Sequence, residues 1–571
     1  MQSWNNSPTG TLVAFNRKVV MNKEDIRAAY IQAGSVKGAA TLLGIPRDTY
    51  RYYQKKGWID DLIGVNSNTR ALAQLTRETG KEADSELKIH GNLEATAPEV
   101  LPLPPPGEIK RFILTSAQNN TLLNDMVWNN LVILSQFYKA DIFVGTYTYN
   151  KSAYGKNSVK FGTKEEETEG LWFDNRLLPH IKNGDGKNIE LAPGLIWCGR
   201  ANIIPTAERP LSGFETYTGR SSGIFPHAKI AMHSIPSGKF ERVKFNYTTG
   251  TITQRNYIQK KAGMKAEHHH TYGALVVEID HEGTWFVRQI NADSDGTIHD
   301  LDIKVERGRL TRRNPILAMN WGDIHVAKKD PISYNLAWGK NQMMDTLKPS
   351  YQFMHDLIDF HARSHHNKDH YSLFMRHKEL RNSVEEEMQQ VADFLAWADR
   401  PFCKTVIVDS NHDNAFLKWL READYREDPV NALYFLKAQL AKYESMEQGE
   451  RNKNMVAWAL TRFKQLPKGR VQFLGTDESF VLASIEFGMH GHLGPNGARG
   501  NPKALSRIGR KANTGHTHSA EIHDGLYVAG VTGLLDHEYN VGPSSWSQSH
   551  IATYGNGKRA IITISNNKWR L

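Results

Sequence analysis

Cysteine, long apolar runs and internal repeats are what this chain has least of. Its 571 residues include two cysteines, Cys198 and Cys403. Two are too few for a disulfide scaffold or a four-cysteine zinc site, and they point to a reducing compartment. No stretch of about 18 apolar residues occurs, so no membrane span is expected. The opening MQSWNNSPTGTLVAFNRKVV lacks the basic-then-apolar order of a secretion signal. No repeat of fixed period is visible. At 40% hydrophobic and 23% charged residues, composition is ordinary for globular proteins, which excludes a largely disordered or collagen-like chain.

What is present is histidine and a mild basic excess. The formal charge is +10, from 71 Lys and Arg against 61 Asp and Glu. That hints at a polyanionic partner, although many basic proteins bind none. The 24 histidines are more informative, because histidine is the commonest metal ligand and a physiological acid–base group. At roughly 100–200 residues per domain, the length predicts about three to five domains.

Composition separates four regions. Residues 1–65 read as short helices with tight turns. Residues 66–109 are polar and then proline-rich, ending in PEVLPLPPPG (98–107), which predicts a semi-rigid linker. Residues 110–315 read as a mixed α/β domain of unassigned role, with strand-like runs at 112–114, 140–144 and 274–279. It can shape a channel for a long polymer or build an oligomer, and Arg309, Arg312 and Arg313 precede the next region. Residues 316–571 alternate short apolar strands, as at 316–319, 405–408 and 560–564, with helical patterns. A mixed helical insertion at about 423–466 carries no evident chemistry.

In the first region, Asn22 can cap a helix with Glu24 and Asp25 in its first turn, where the helix dipole favours acids. Gly34 stops it, Ser35 can cap a second helix, and Pro46 suits the first turn of a third. The sequence IRAAYIQAGSVKGAATLLGIPRDTYRYYQKKG (26–57) resembles a helix-turn-helix module. The resemblance implies a third helix on DNA, with Arg47, Arg51, Lys55 and Lys56 toward phosphates or base edges. Residues 1–65 carry nine Lys and Arg and five Asp and Glu, a net of +4. A helical bundle used for protein docking is the alternative.

The last region holds five polar clusters: Gly322-Asp323-Ile324-His325, His355-Asp356-Leu357-Ile358-Asp359, Asp409-Ser410-Asn411-His412-Asp413, Met489-His490-Gly491-His492 and Gly515-His516-Thr517-His518. The first three follow strand-like runs, and strand ends of an α/β sheet deliver side chains into one crevice. Alternate residues of an extended segment point the same way, so Asp-x-His and His-x-His can enter one site. Asp oxygens with His nitrogens suit Mn²⁺, Fe²⁺ or Zn²⁺. Two such ions about 3.5–4 Å apart can activate water and clamp both oxygens of a phosphate ester.

In this order the clusters resemble the calcineurin-like metallophosphoesterases over residues 316 to about 565. The resemblance implies a four-layer α/β/β/α domain. Asp323, His325 and His518 would hold a first metal; Asn411, His490 and His516 a second; Asp356 would bridge them. His412 would lie beside the scissile phosphate and help protonate the leaving oxygen, with Asp413 orienting it. His492 competes with His490, and Asp359 with Asp356; Asp359 otherwise braces the loop. Two family glycines are replaced, by His355 and by Ser410, without loss of a ligand.

The fold hosts many phosphoesters, so the substrate must be argued separately. The basic head, the +10 charge and the glycine-rich loop 492–503, with Arg499 and Lys503 as phosphate contacts, favour DNA. The family's DNA-cutting branch uses Mn²⁺. The expectation is a Mn²⁺-dependent DNase that cleaves by attack of a metal-bridging hydroxide; Fe, Zn and Mg also suit the ligands. Head, linker and phosphoesterase together resemble phage nucleases of early DNA transfer and host-DNA degradation. That implies action in the host cytoplasm, on DNA and without a membrane partner. A symmetric homo-oligomer is the default assembly. A protein or nucleotide phosphatase docked through its head, and a non-enzymatic DNA-transfer scaffold, are the alternatives. The intact ligand set disfavours the scaffold.

Overall fold

A computed structural model describes residues 22–33, 36–45, 50–51, 53, 56, 58–59, 97–149, 172–183, 187–239, 241–363, 369–463, 466 and 469–571. The chain divides into two compact units, Met1–Thr96 and Ala97–Leu571.

In the first unit, helices Lys23–Ala33 and Val36–Leu42 pack together. Asn22 caps the first, its Oδ1 accepting from the Asp25 amide at 2.8 Å. Ile26, Ala29, Tyr30, Ala39, Ala40, Tyr50, Tyr53 and Ile59 form the core. Arg51 and Lys56 are exposed. Arg47 and Lys55 lie outside the described residues.

The second unit is mixed α/β. Its six-stranded sheet runs in the order Val471–Phe473, Lys404–Ile407, Tyr351–Met354, Ala318–Asn320, Ser549–Thr553, Arg559–Thr563. The first four strands are mutually parallel, and the last two are antiparallel to their neighbours. Helices including Val384–Ala398 and Asn411–Glu422 cover one face, packing Val391, Leu395 and Phe416 with Met319, Met354 and Ile407. On the other face Ala318, Phe353 and Val406 meet Ile485 and Phe487.

Ile485 belongs to a second, eleven-stranded sheet. One half of that sheet comes from residues 99–248 and the other from 481–528. Among the described residues a single antiparallel bridge, Ile522 with Met232, joins the halves. Regions 110–315 and 316–571, distinct in composition, are therefore joined through one sheet. A four-stranded sheet, ordered Trp285–Asn291, Gly273–Ile279, Lys110–Gln118, Asp141–Tyr147, lies along Arg559–Thr563. There the Gln289 side-chain oxygen accepts from the Ile561 amide at 2.8 Å.

The proline-rich stretch differs from its reading as linker. Glu99–Val100 pairs in parallel with Ile189–Glu190, and Leu101 packs on the core around Trp197. The pairing runs through the Glu99 and Leu101 amides, and the flanking prolines, which lack an N–H, are tolerated because the strand lies at the sheet edge. No described helix is long and apolar enough to cross a membrane.

Candidate metal centre

Three parallel strands of the six-stranded sheet end at one place. Ala318–Asn320 leads to Asp323 and His325, Tyr351–Met354 to Asp356, and Lys404–Ile407 to Asn411 and His412. From the second sheet, Ile485–Glu486 leads to His490, and Lys511–Thr514 to His516 and His518. His325, Asp356, His516 and His518 have positive φ, at 51°, 45°, 74° and 56°. Left-handed backbone at four non-glycine residues is costly, and such strain collects at functional sites.

The first expected set comes together. His518 Nε2 lies 3.1 Å from Asp323 Oδ2 and 3.1 Å from His325 Nε2. Asp323, His325, Asp356 and His518 each offer a ligand atom within 4.8 Å of the others, and all are buried. In the second set, His490 Nε2 lies 3.0 Å from Asn411 Oδ1. The His516 ring centroid is 5.1 Å from that of His490, and its amide donates to Asp323 Oδ2 at 2.7 Å. Asp356 Oδ2 sits between the sets, 3.7 Å from His325 Nε2 and 3.3 Å from His490 Nε2. It is His490, not His492, that contacts Asp356.

These groups fit cations. Among the described residues, every ion-pair partner of Asp323, Asp356 and Asp359 is a histidine. Among the described residues, Oδ1 of Asp323, Oδ1 of Asp356 and Nδ1 of His518 are buried with no hydrogen-bond partner. Buried carboxylates need a compensating charge, and a metal ion supplies it. Burial opposes protonation of His490, but Asp356 and Asp323 outweigh it and push its pKa up to about 9. Burial, with His490 adding, pushes His516 down to about 4, leaving a neutral imidazole with a lone pair to offer.

Several neighbours support the centre. Asp359 braces the centre from behind: its carboxylate is 3.2 Å from His325 Nδ1, and its carbonyl 3.0 Å from His412 Nδ1. The His412 contact expected of Asp413 is thus supplied by Asp359. Asp413 sits in the first turn of Asn411–Glu422, where its amide donates to the capping Ser410 Oγ at 3.2 Å. Ser410 has φ −136°, so this position needs no glycine. His355 is buried, 3.4 Å from the Asn320 side chain. His537 stands with His325 and His518 as a further potential ligand. His550 Nδ1 accepts from the Gly322 amide at 3.0 Å, which fixes the turn before Asp323. His361 is buried beside Asp359. His270 is buried with its Nδ1 2.7 Å from the Tyr257 hydroxyl. Arg499 and Lys503 are exposed on and just after the loop following His492.

Gly515 shows how tightly the turn is built. A Cβ there would lie 2.1 Å from Asp323 Oδ1. Gly515→Ala is expected to displace that carboxylate and weaken Mn²⁺ binding by about 10–100-fold, the scale of a lost orienting contact. Calorimetric Mn²⁺ titration checks this, with circular dichroism expected to stay unchanged.

Fold and site together define a mixed α/β protein with a buried histidine–carboxylate centre where two sheets end. The chain is 40% identical over 472 residues to Protein A1 of Escherichia phage T5, an alignment covering 81% of this chain and 83% of that protein. The chain belongs to that protein's family, which supports a bacteriophage origin. No family model and no solved structure matches it.

Proposed function

We propose that the chain is a two-metal phosphodiesterase of the calcineurin-like metallophosphoesterase kind, with the four-layer α/β/β/α arrangement, and that it cleaves DNA in the host cytoplasm. The observation that carries this reading is Asp356, one carboxylate shared between two donor sets. Asp323, His325 and His518 would hold one ion, and Asn411, His490 and His516 the other, with Mn²⁺ preferred. Bound there, the ions would supply Lewis-acid activation of water and clamp the ester oxygens. His412 donates through Nδ1 to the Asp359 carbonyl, which only accepts, so the proton it would give a leaving oxygen is a second one, carried on Nε2. The arrangement suits stabilisation of developing charge and protonation of the leaving oxygen.

Three features support DNA as substrate. Arg499 and Lys503 are exposed near the centre. The chain carries +10. A cavity of about 1020 Å³ is lined by Lys229, Arg255, Arg510, Lys511, Lys558 and Arg559, against two carboxylates, Asp293 and Asp524.

The test is a substrate panel: linear and circular duplex DNA, single-stranded DNA and a small phosphodiester, each with Mn²⁺, Mg²⁺ or chelator. DNA degraded with Mn²⁺ supports the proposal. Rapid turnover of the small ester with DNA intact would point instead to a phosphatase. For the head, removing residues 1–96 is expected to weaken DNA binding and flatten its salt dependence. Unchanged binding would assign the head to protein docking.

A further inference from the structure

A second ligand cluster lies where the two halves of the eleven-stranded sheet meet. Three residues beyond His518 the chain enters strand Glu521–His523. Glu521 and His523 are two apart and so share a face. Ile522 pairs antiparallel with Met232, which sets His233 opposite Glu521 on that same face. Glu521 Oε1 lies 3.8 Å from His233 Nε2 and 3.5 Å from His523 Nδ1. The two imidazoles are stacked at 6.4 Å with 15° between planes. One ligand atom from each residue lies within 4.8 Å of the other two, and all three residues are half-buried.

These distances suit a metal ion. Zn–N and Zn–O bonds near 2.0–2.2 Å put neighbouring ligand atoms of a tetrahedral site roughly 3.4 Å apart. The 3.5 Å separation matches, and the 3.8 Å separation needs a closure of a few tenths of an ångström. Two His and one Glu, with water in the fourth position, is an established zinc donor set. Burial holds the His233 pKa below its ordinary range, so near neutral pH its ring is neutral and has a lone pair to give. None of the three residues belongs to the candidate centre.

We propose that His233, Glu521 and His523 form a separate site for one borderline divalent ion, zinc fitting best, that clips strand Met232–Ile235 to strand Glu521–His523. The position gives the ion a structural task. Ile522–Met232 is the one backbone bridge between the sheet halves among the described residues; the Ser234 hydroxyl adds a bond to the Ala520 carbonyl at 2.5 Å. A ligated ion would add a cross-link between segments nearly 290 residues apart, beside the turn that carries His516 and His518. Binding only the folded state, it would raise the melting temperature as its concentration rises.

The test uses the full chain stripped with chelator and then titrated with Zn²⁺ or Co²⁺. Bound ions are counted by elemental analysis, and Co²⁺ geometry is read from its visible absorption. Glu521→Gln and His523→Ala are each expected to bind one equivalent fewer than the parent, to lose the part of the Co²⁺ spectrum from this site, and to lose part of the zinc-induced rise in melting temperature. Glu521→Gln, nearly isosteric, guards against a folding failure in His523→Ala. The count is a difference from the parent, so it does not depend on how many ions the candidate centre takes. Asp323→Asn is expected to lose ions while keeping this one. An unchanged zinc count and Co²⁺ spectrum in both variants would overturn the proposal and leave Glu521 as an ion-pair partner of the two histidines only.

Discussion

Replacing His412 by Ala is expected to slow Mn²⁺-dependent DNA cleavage by about 10²–10⁴-fold, the usual worth of a positioned general acid or base. The number of bound ions is expected to stay the same. Ser410 caps helix Asn411–Glu422 and so sets where the His412 side chain leaves the backbone. Nδ1 is fixed by the Asp359 carbonyl at 3.0 Å, and the ring packs edge-on against His325 at 4.8 Å. The imidazole is thus held in one orientation and one tautomer. If its task is to protonate the leaving oxygen, the loss must depend on the leaving group. A p-nitrophenyl phosphodiester, whose leaving oxygen needs no proton, is expected to lose much less rate than DNA. Single-turnover rates on both esters, with the ion count, check this. Equal losses on both would leave His412 the stabilisation of developing charge alone, and a missing ion would make it a ligand, a role its approach to His325 and Asp359 also allows.

Arg288→Met is expected to cost about 3–5 kcal/mol of stability, the range for removing one member of a buried ion pair. Arg288 is fully buried, with its guanidinium 2.6 Å from Glu278 and, through two nitrogens, 2.8 Å from both oxygens of Asp300. Tyr138 also donates to Asp300, at 2.7 Å, and Arg111 to Glu278, at 2.9 Å. Losing the guanidinium leaves buried carboxylates undercompensated. Replacing Glu278 and Asp300 by apolar residues as well is expected to cost less than Arg288→Met alone, because the one charge then left without its partner, Arg111, is partly exposed. Burial alone would raise the Asp300 pKa, but Arg288 and Tyr138 outweigh it and hold it below the ordinary carboxylate range. A lowered folded pKa gives stability that is present above the unfolded value, near 3.9, and lost as pH falls through the folded one. The parent is therefore expected to weaken in acid, and Arg288→Met to show less of that loss. Denaturant midpoints at neutral and acid pH check both statements.

The candidate centre was largely legible because its residues sit at the ends of locally recognisable elements. Apolar runs at 316–319, 351–354 and 405–408 announce strands, and Ser410 before Asn411 announces a helix start. Asp323, His325, Asp356, Asn411, His490, His516 and His518 were named through the resemblance of five ordered clusters to the calcineurin-like metallophosphoesterases. Asp359 was read as a brace for its loop, but its hold on His325 and His412, 34 and 53 residues away, depends on three strands lying side by side. His537 sits in an irregular segment with no periodicity to mark it. The fold was least legible between residues 97 and 315. There the composition suggested a separate domain after a linker, whereas Glu99–Val100 and Met232–Ile235 join one sheet through pairings that no local pattern encodes. Sheet partnership is decided by long-range packing, and a single bridge such as Ile522–Met232 leaves almost no trace in sequence.

The central claim is that one carboxylate-bridged pair of ions at this centre cuts DNA. Its most direct test is hydrolysis of duplex DNA by the purified full chain with Mn²⁺, beside the same protein in chelator and beside Asp323→Asn with Mn²⁺. The account predicts cleavage by the parent, none in chelator, and a loss of at least about 10²-fold in Asp323→Asn together with reduced Mn²⁺ binding. Cleavage that survives chelation, or that Asp323→Asn retains in full, would contradict it.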